Sequence, residues 1–231
     1  MNRIKFFLIA CLLGMTTGAF AQFANSKSSS YNANTDGWQG LRVSYHPMSL
    51  VPDKGDNMGM TGFSAGYVKG ISLSPQVPIF LEAGANLTWA FKNLTDDMEP
   101  EDDYLDDYSA KLNMLSINIP VNFGYKYDVN ERFSIYPYIG VNFRINAIGK
   151  FKIGFEYDDK TENESFNVFD SDDMDELGMG DAWKRFQAGW QIGVAFNIDR
   201  FTLATSYGKD FTEISKKVKV AMPSITIGYN F

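Results

Sequence analysis

Few residues in this chain have the types and spacing that chemistry needs. Hydrolysis or acyl transfer requires a nucleophile within reach of a base, commonly serine or cysteine beside histidine. The chain has one histidine, His46, next to Pro47, and one cysteine, Cys11. No His-Ser or Asp-His arrangement accompanies His46, which is expected at the loop edge of a strand. The expectation is therefore a protein that is not an enzyme.

Clustered carboxylates bind Ca²⁺ through oxygen ligands, and the closest candidate is Asp170-Ser171-Asp172-Asp173-Met174-Asp175-Glu176. It lacks the glycine and the terminal glutamate spacing of an EF-hand loop, so a solvated, mobile loop is expected, with no metal and no cofactor. The acids are nonetheless unevenly placed. Residues 96–107 and 156–181 hold 19 of the 28 acidic residues. The net charge of −7 and the absence of a clustered basic stripe argue against nucleic acid as a partner.

The elements that must carry these groups are strands. In residues 186–198, Phe186, Ala188, Trp190, Ile192, Val194, Phe196 and Ile198 alternate with Gln187, Gly189, Gln191, Gly193, Ala195 and Asn197. A period of two means one apolar and one polar face. The pattern recurs at about 40–46, 59–69, 79–91, 115–127, 133–147, 201–208 and 224–231, which makes eight strands. The polar faces are mostly Gly, Ser, Thr, Asn, Gln and Ala, which suit a narrow barrel interior, while Ile, Leu, Phe and Trp suit a lipid-facing band. A soluble barrel with its apolar face inside is the competing reading of the same period.

Short turns near Gly70–Pro78, Asp128–Arg132 and Asp199-Arg200 alternate with longer connections at Pro47–Asn57, Lys92–Ala110, Lys150–Trp183 and Lys209–Val218. That alternation fits an eight-stranded antiparallel up-and-down transmembrane β-barrel with both mature termini in the periplasm and the acidic loops outside. The N-terminus reads as an export signal. Arg3 and Lys5 precede the apolar run Phe6–Met15, and Ala19-Phe20-Ala21 forms the cleavage site. Leu8-Ile9-Ala10-Cys11 also fits a lipoprotein cleavage box, a rival reading of that segment. The expected organisation is a signal peptide at 1–21, a flexible periplasmic segment at 22–37 and a barrel at 38–231.

On the polar faces, Arg42, Glu82, Lys126 and Arg144 are expected to form a lumen charge cluster, since ions in a narrow barrel should be paired or hydrated. Glu82 is expected to pair with Arg42, Lys126 or both, and Arg144, nearer the outside, needs another partner or water. A packed brace is expected ahead of a gated pore.

Over residues 38–231 the chain resembles the small, porin-like outer-membrane β-barrel families of Gram-negative bacteria, typified by the barrel domain of outer membrane protein A. That resemblance implies that Tyr229-Asn230-Phe231 is read by the barrel assembly machinery, although Thr226 stands where the family pattern usually has glycine. It implies outer-membrane lipid and lipopolysaccharide as surroundings, and leaves room for a periplasmic or surface protein partner. Length and the signal ending Ala21-Gln22 are also similar to the PorT-type barrels of the type IX secretion pathway. The functions in view are thus envelope structure or surface interaction, a secretion-associated role, or a narrow small-solute channel.

Overall fold

The computed structural model describes residues 35–95, 107–157 and 160–231. Ten strands form one sheet: β1 (Trp38–Pro52), β2 (Met58–Ser72), β3 (Ile79–Asn93), β4 (Asp107–Tyr125), β5 (Tyr127–Asp128), β6 (Phe133–Tyr157), β7 (Lys160–Asn167), β8 (Phe186–Ile198), β9 (Phe201–Asp210) and β10 (Val218–Asn230). Eight of them close a ring in the order β1-β2-β3-β4-β6-β8-β9-β10, every neighbour antiparallel. The two-residue β5 and the hairpin strand β7 pair only with β6. The fold is the eight-stranded up-and-down β-barrel that the alternation implied.

Closure runs through the seam between first and last strands, where Gly40 stands opposite Asn230 and Pro52 opposite Val218. The Phe231 N–H extends this seam by donating to the Gln39 carbonyl at 3.0 Å. The start of β1, the end of β10 and the connections β2–β3, β4–β6 and β8–β9 share one end of the barrel, the turn end; the connections β1–β2, β3–β4, β6–β8 and β9–β10 share the other, the loop end. At the turn end, Arg132 binds Asp199 in a two-point ion pair at 2.9 and 3.1 Å, tying two turns together. The hydrogen bond and charge of Asp199 raise the Arg132 pKa above its ordinary value.

Around the middle and the turn end, the apolar set of each strand points outward. Val43, Leu87, Ile139, Leu203 and Ile227 are all more than half exposed. Such a continuous belt of aliphatic and aromatic side chains has no place in water and suits hydrocarbon.

Several strands run far past this belt. A tilted strand crosses a bilayer in about 9–11 residues, yet β4 has 19 and β6 has 25. Beyond the belt the polarity of the wall reverses. Met48, Leu50, Met60, Leu112, Met114, Phe151 and Val220 point inward and are buried, while Lys111, Lys150 and Lys152 are exposed outside. On β4 the sequence itself makes the reversal. On β6 a bulge makes it: Leu115 pairs with Ile148 but Ser116 with Asn146, so Ala147 is an extra residue that turns Phe151 from the lipid face into the lumen.

The expected loops at Pro47–Asn57, Lys92–Ala110 and Lys150–Trp183 are corrected accordingly. β1 reaches Pro52 and β2 starts at Met58, β4 begins at Asp107, and β6 folds back through β7. The acidic run 170–176 is likewise ordered rather than a solvated mobile loop. It forms a short helix, Ser171–Glu176, whose N-cap Asp170 accepts from the Asp172 and Asp173 N–H groups. Asp173 also accepts from the Asn167 N–H at 2.6 Å, and Met174 is buried at 1% exposure. Asp170 and Asp173 cap and orient a helix whose Met174 packs into the loop-end core, and among the described residues no group of three or more metal-ligating side chains comes together.

The core at the loop end is thus an apolar plug, into which this helix sends Met174 and the 211–217 connection sends Ile214. Leu112→Ala in the plug should cost about 2–5 kcal/mol of stability, whereas Leu87→Ala on the lipid face should cost less than half as much. Urea unfolding of the vesicle-embedded protein measures both.

Candidate functional site in the barrel lumen

Three layers of inward side chains fill the barrel. Nearest the turn end is an aromatic layer. Trp38 lies 4.7 Å from the Phe80 ring and 5.1 Å from that of Tyr136, which in turn contacts Tyr138 at 5.6 Å. Glycines make room for these rings: a Cβ at Gly70 would meet Trp38, one at Gly124 would meet Tyr136, and one at Gly193 would meet Tyr138. Small residues on the inner face therefore serve as seats for large ones, a close approach only glycine allows.

The middle layer is polar and linked strand to strand. Ser44 bonds Thr226 at 2.7 Å across the closing seam, Ser206 bonds Ser224 at 2.6 Å, Asn118 donates to Thr88, and Gln191 donates to Asn122. These side chains surround a cavity of ≈90 Å³, lined also by Arg42, Glu82, Asn86 and Asn142. The amide oxygens of Asn86, Asn118 and Asn142 have no hydrogen-bond partner among the described residues. A polar space of this size holds several waters, which would satisfy those oxygens.

The third layer joins the polar middle to the apolar plug. Arg144, 1% exposed, donates to Asp210, while Asn146 donates to Gln187 and Gln187 to the Lys184 carbonyl. A guanidinium so far from water is tolerable only with a charged partner.

The four lumen charges of the sequence pattern thus fall into three arrangements rather than one cluster. Arg42 Nη2 lies 3.9 Å from Glu82 Oε2 and donates to Asn230 Oδ1 at 2.8 Å, and Glu82 also accepts from Trp38 Nε1 at 2.8 Å. Lys126 lies past the end of β4 and faces Asp128 at 3.6 Å, not Glu82. Arg144 takes Asp210, which the period of two leaves in the connection after Gly208 and the structure places at the end of β9.

His46 is corrected as well. It is not at a loop edge but buried in the lumen, its Nε2 bonded to Ser64 Oγ at 2.8 Å. The pair joins β1 to β2 at diagonal positions of the ladder, a proximity that 18 residues of separation conceal. A histidine beside a serine is chemically suggestive, yet acyl transfer also needs donors aimed at a developing oxyanion and a way in for the substrate. Here the surrounding backbone N–H groups serve the strand ladders, and packed layers lie above and below. The arrangement acts as a cross-strand tie.

At the C-terminus, the Tyr229 ring meets Phe201 edge-on at 5.4 Å and Phe231 approaches Tyr67 at 6.5 Å, all four outward at the turn end. Ala19 and Ala21, and most of the segment 22–37, lie outside the described residues.

A closed antiparallel ring, apolar outside and polar within, is the geometry by which a β-sheet spans a membrane. The family model for the outer membrane protein beta-barrel domain matches residues 13–214. The chain belongs to this family. It is an integral outer-membrane β-barrel. No curated protein sequence matches it. Among solved structures it is similar to Ail, the attachment invasion locus protein of Yersinia pestis, at 17% identity over 85% of this chain and 99% of that one, with a TM-score of 0.41. It is also similar to Ail in complex with the heparin analogue sucrose octasulfate, at 17% identity over the same shares and a TM-score of 0.44. Neisserial surface protein A is similar at 12% identity over 84% of this chain and 97% of that one, with a TM-score of 0.38.

For a member of this family the buried pair is a sharp test of how the lumen is held. Arg144→Met alone should cost about 3–5 kcal/mol, because it leaves Asp210 buried without its partner. The double substitution with Asp210→Leu should recover most of that loss in the urea midpoint.

Proposed function

We propose that this barrel is a non-enzymatic wall of the outer membrane that serves envelope structure or surface interaction and passes no solute. Both mature termini lie in the periplasm in this reading, and the acidic loops with their helix face outward. The assembly machinery reads Tyr229-Asn230-Phe231, and outer-membrane lipid and lipopolysaccharide surround the wall.

The observation that carries the reading is the layering of the lumen. The aromatic layer around Phe80 and Tyr136 lines the polar cavity toward the turn end, and the apolar plug around Leu112, Phe151 and Met174 fills the barrel on its loop-end side. A conducting pore needs a continuous wet path, and an apolar plug across the loop end works against one. The ion pair Arg42–Glu82 lines this cavity, tied to Trp38 and to the last strand through Asn230, where it braces the closing seam.

Planar-bilayer recording tests this. The protein, and equally Glu82→Ala, should show no unitary current steps, because the layers and not the charge close the lumen. Reproducible steps from the unsubstituted protein would replace the wall with a channel.

A further inference from the structure

Just above the lipid-facing belt at the loop end, the outer surface carries cations that form no ion pair among the described residues. Across β3, β4, β6 and β7 one outward row reads Asn93, Lys111, Lys152, Ser165, and the row below reads Phe91, Asn113, Lys150, Asn167. The next row toward the membrane is Trp89, Leu115 and Ile148. Three lysines thus sit on the first polar rows above hydrocarbon. All three are exposed, and none forms an ion pair among the described residues.

Lys111 and Lys152 are direct cross-strand partners. Like charges facing each other in an antiparallel pair, with Cβ atoms roughly 4.5–5.5 Å apart, destabilise a sheet. Lys150 adds a third ammonium two residues along β6, about 7 Å away. Acids return on β6 only at Glu156, and on β7 Glu164 stands opposite Ile153 rather than a lysine. One strand further round, Arg185 is exposed and fixed, donating to the Ala147 carbonyl at 2.9 Å with its guanidinium 4.5 Å from the Phe169 ring centroid.

We propose that Lys111, Lys150 and Lys152, flanked by Arg185, form a docking site for the phosphate groups of a membrane lipid in the leaflet at the loop end. The height of the lysines selects a lipid over a soluble anion. A phosphate on these ammoniums has its acyl chains level with Trp89, Leu115 and Ile148, so one molecule satisfies charge and apolar surface together. Spacing of about 5–7 Å between the ammonium-bearing positions suits a headgroup carrying more than one phosphate better than a single phosphodiester. Naming this leaflet the outer one rests on the orientation proposed above; the site itself does not depend on it.

The test uses the full chain refolded into phosphatidylcholine bilayers with trace spin-labelled lipids, where electron paramagnetic resonance reads the lipid shell around the barrel. A bisphosphorylated lipid A should be enriched several-fold over phosphatidylcholine and more than phosphatidylglycerol. Lys111→Gln/Lys150→Gln/Lys152→Gln should bring that enrichment near unity, while Lys54→Gln/Lys69→Gln/Lys126→Gln should leave it intact. Equal enrichment by the protein and the first triple variant would overturn the site. Loss of enrichment on adding millimolar inorganic phosphate at constant ionic strength would assign the lysines to a soluble anion and overturn the lipid.

Stability supplies a second readout. In pure phosphatidylcholine the first triple variant should unfold at the same urea concentration as the parent or a higher one, since it removes the facing charges, and a clearly lower midpoint would contradict the argument. Conductance recorded in the same bilayers reports on the closed lumen alone, so either idea can fail without the other.

Discussion

In hydrocarbon a backbone N–H or C=O without a partner costs several kcal/mol, and no water is present to supply one. The rest of this molecule follows from meeting that constraint. A sheet meets it only by closing, so β1 must find β10, and the seam is secured with Ser44 on Thr226 and Arg42 on Asn230. Once closed, every strand has an inside and an outside. The outside is solvated by lipid, which leaves the inside as the only place for polar side chains.

Eight strands enclose too little space for bulky groups at every inward position. Glycines admit Trp38, Tyr136 and Tyr138 at the turn end, and short hydroxyl and amide side chains line the middle. Above the membrane the solvents exchange places. Water is now outside, and the wall becomes an ordinary soluble barrel with methionine, leucine and phenylalanine inside and lysine outside. Arg144 and Asp210 sit at the junction of the two regimes, where a polar lumen gives way to an apolar one.

This change of regime also explains what the sequence makes legible. Strand number, antiparallel order and the inward set from Gln187 to Asn197 are readable because the period of two is clean wherever lipid lies outside. The same test fails beyond the belt. Leu112 and Met114 keep the period but reverse its sign, and the bulge at Ala147 shifts the phase on β6. Strands therefore looked shorter and loops longer than they are. Membrane-type and soluble-type barrels are rival readings of one alternation, and here each describes a different height of the same wall.

The lumen contacts were less legible, because they depend on register across strands. Arg42 with Glu82 was within reach of a facing argument. His46 with Ser64 and Arg144 with Asp210 were not, since nothing local marks Ser64 or Asp210 as partners. The Asp-rich run shows the limit of composition: the same carboxylates that suggest a solvated loop also cap a helix when a buried methionine anchors it.

The central claim is a lumen closed to both sides, and thiol accessibility addresses it most directly. Ser64→Cys places a thiol among the polar side chains between the two packed layers, and Lys54→Cys places a control in the connection after β1. In the membrane-embedded protein a charged methanethiosulfonate reagent should label the control within minutes and leave the lumen thiol unreacted until urea unfolds the chain. Rapid labelling of Ser64→Cys in the folded protein, beyond the background of the unsubstituted chain, would contradict the account.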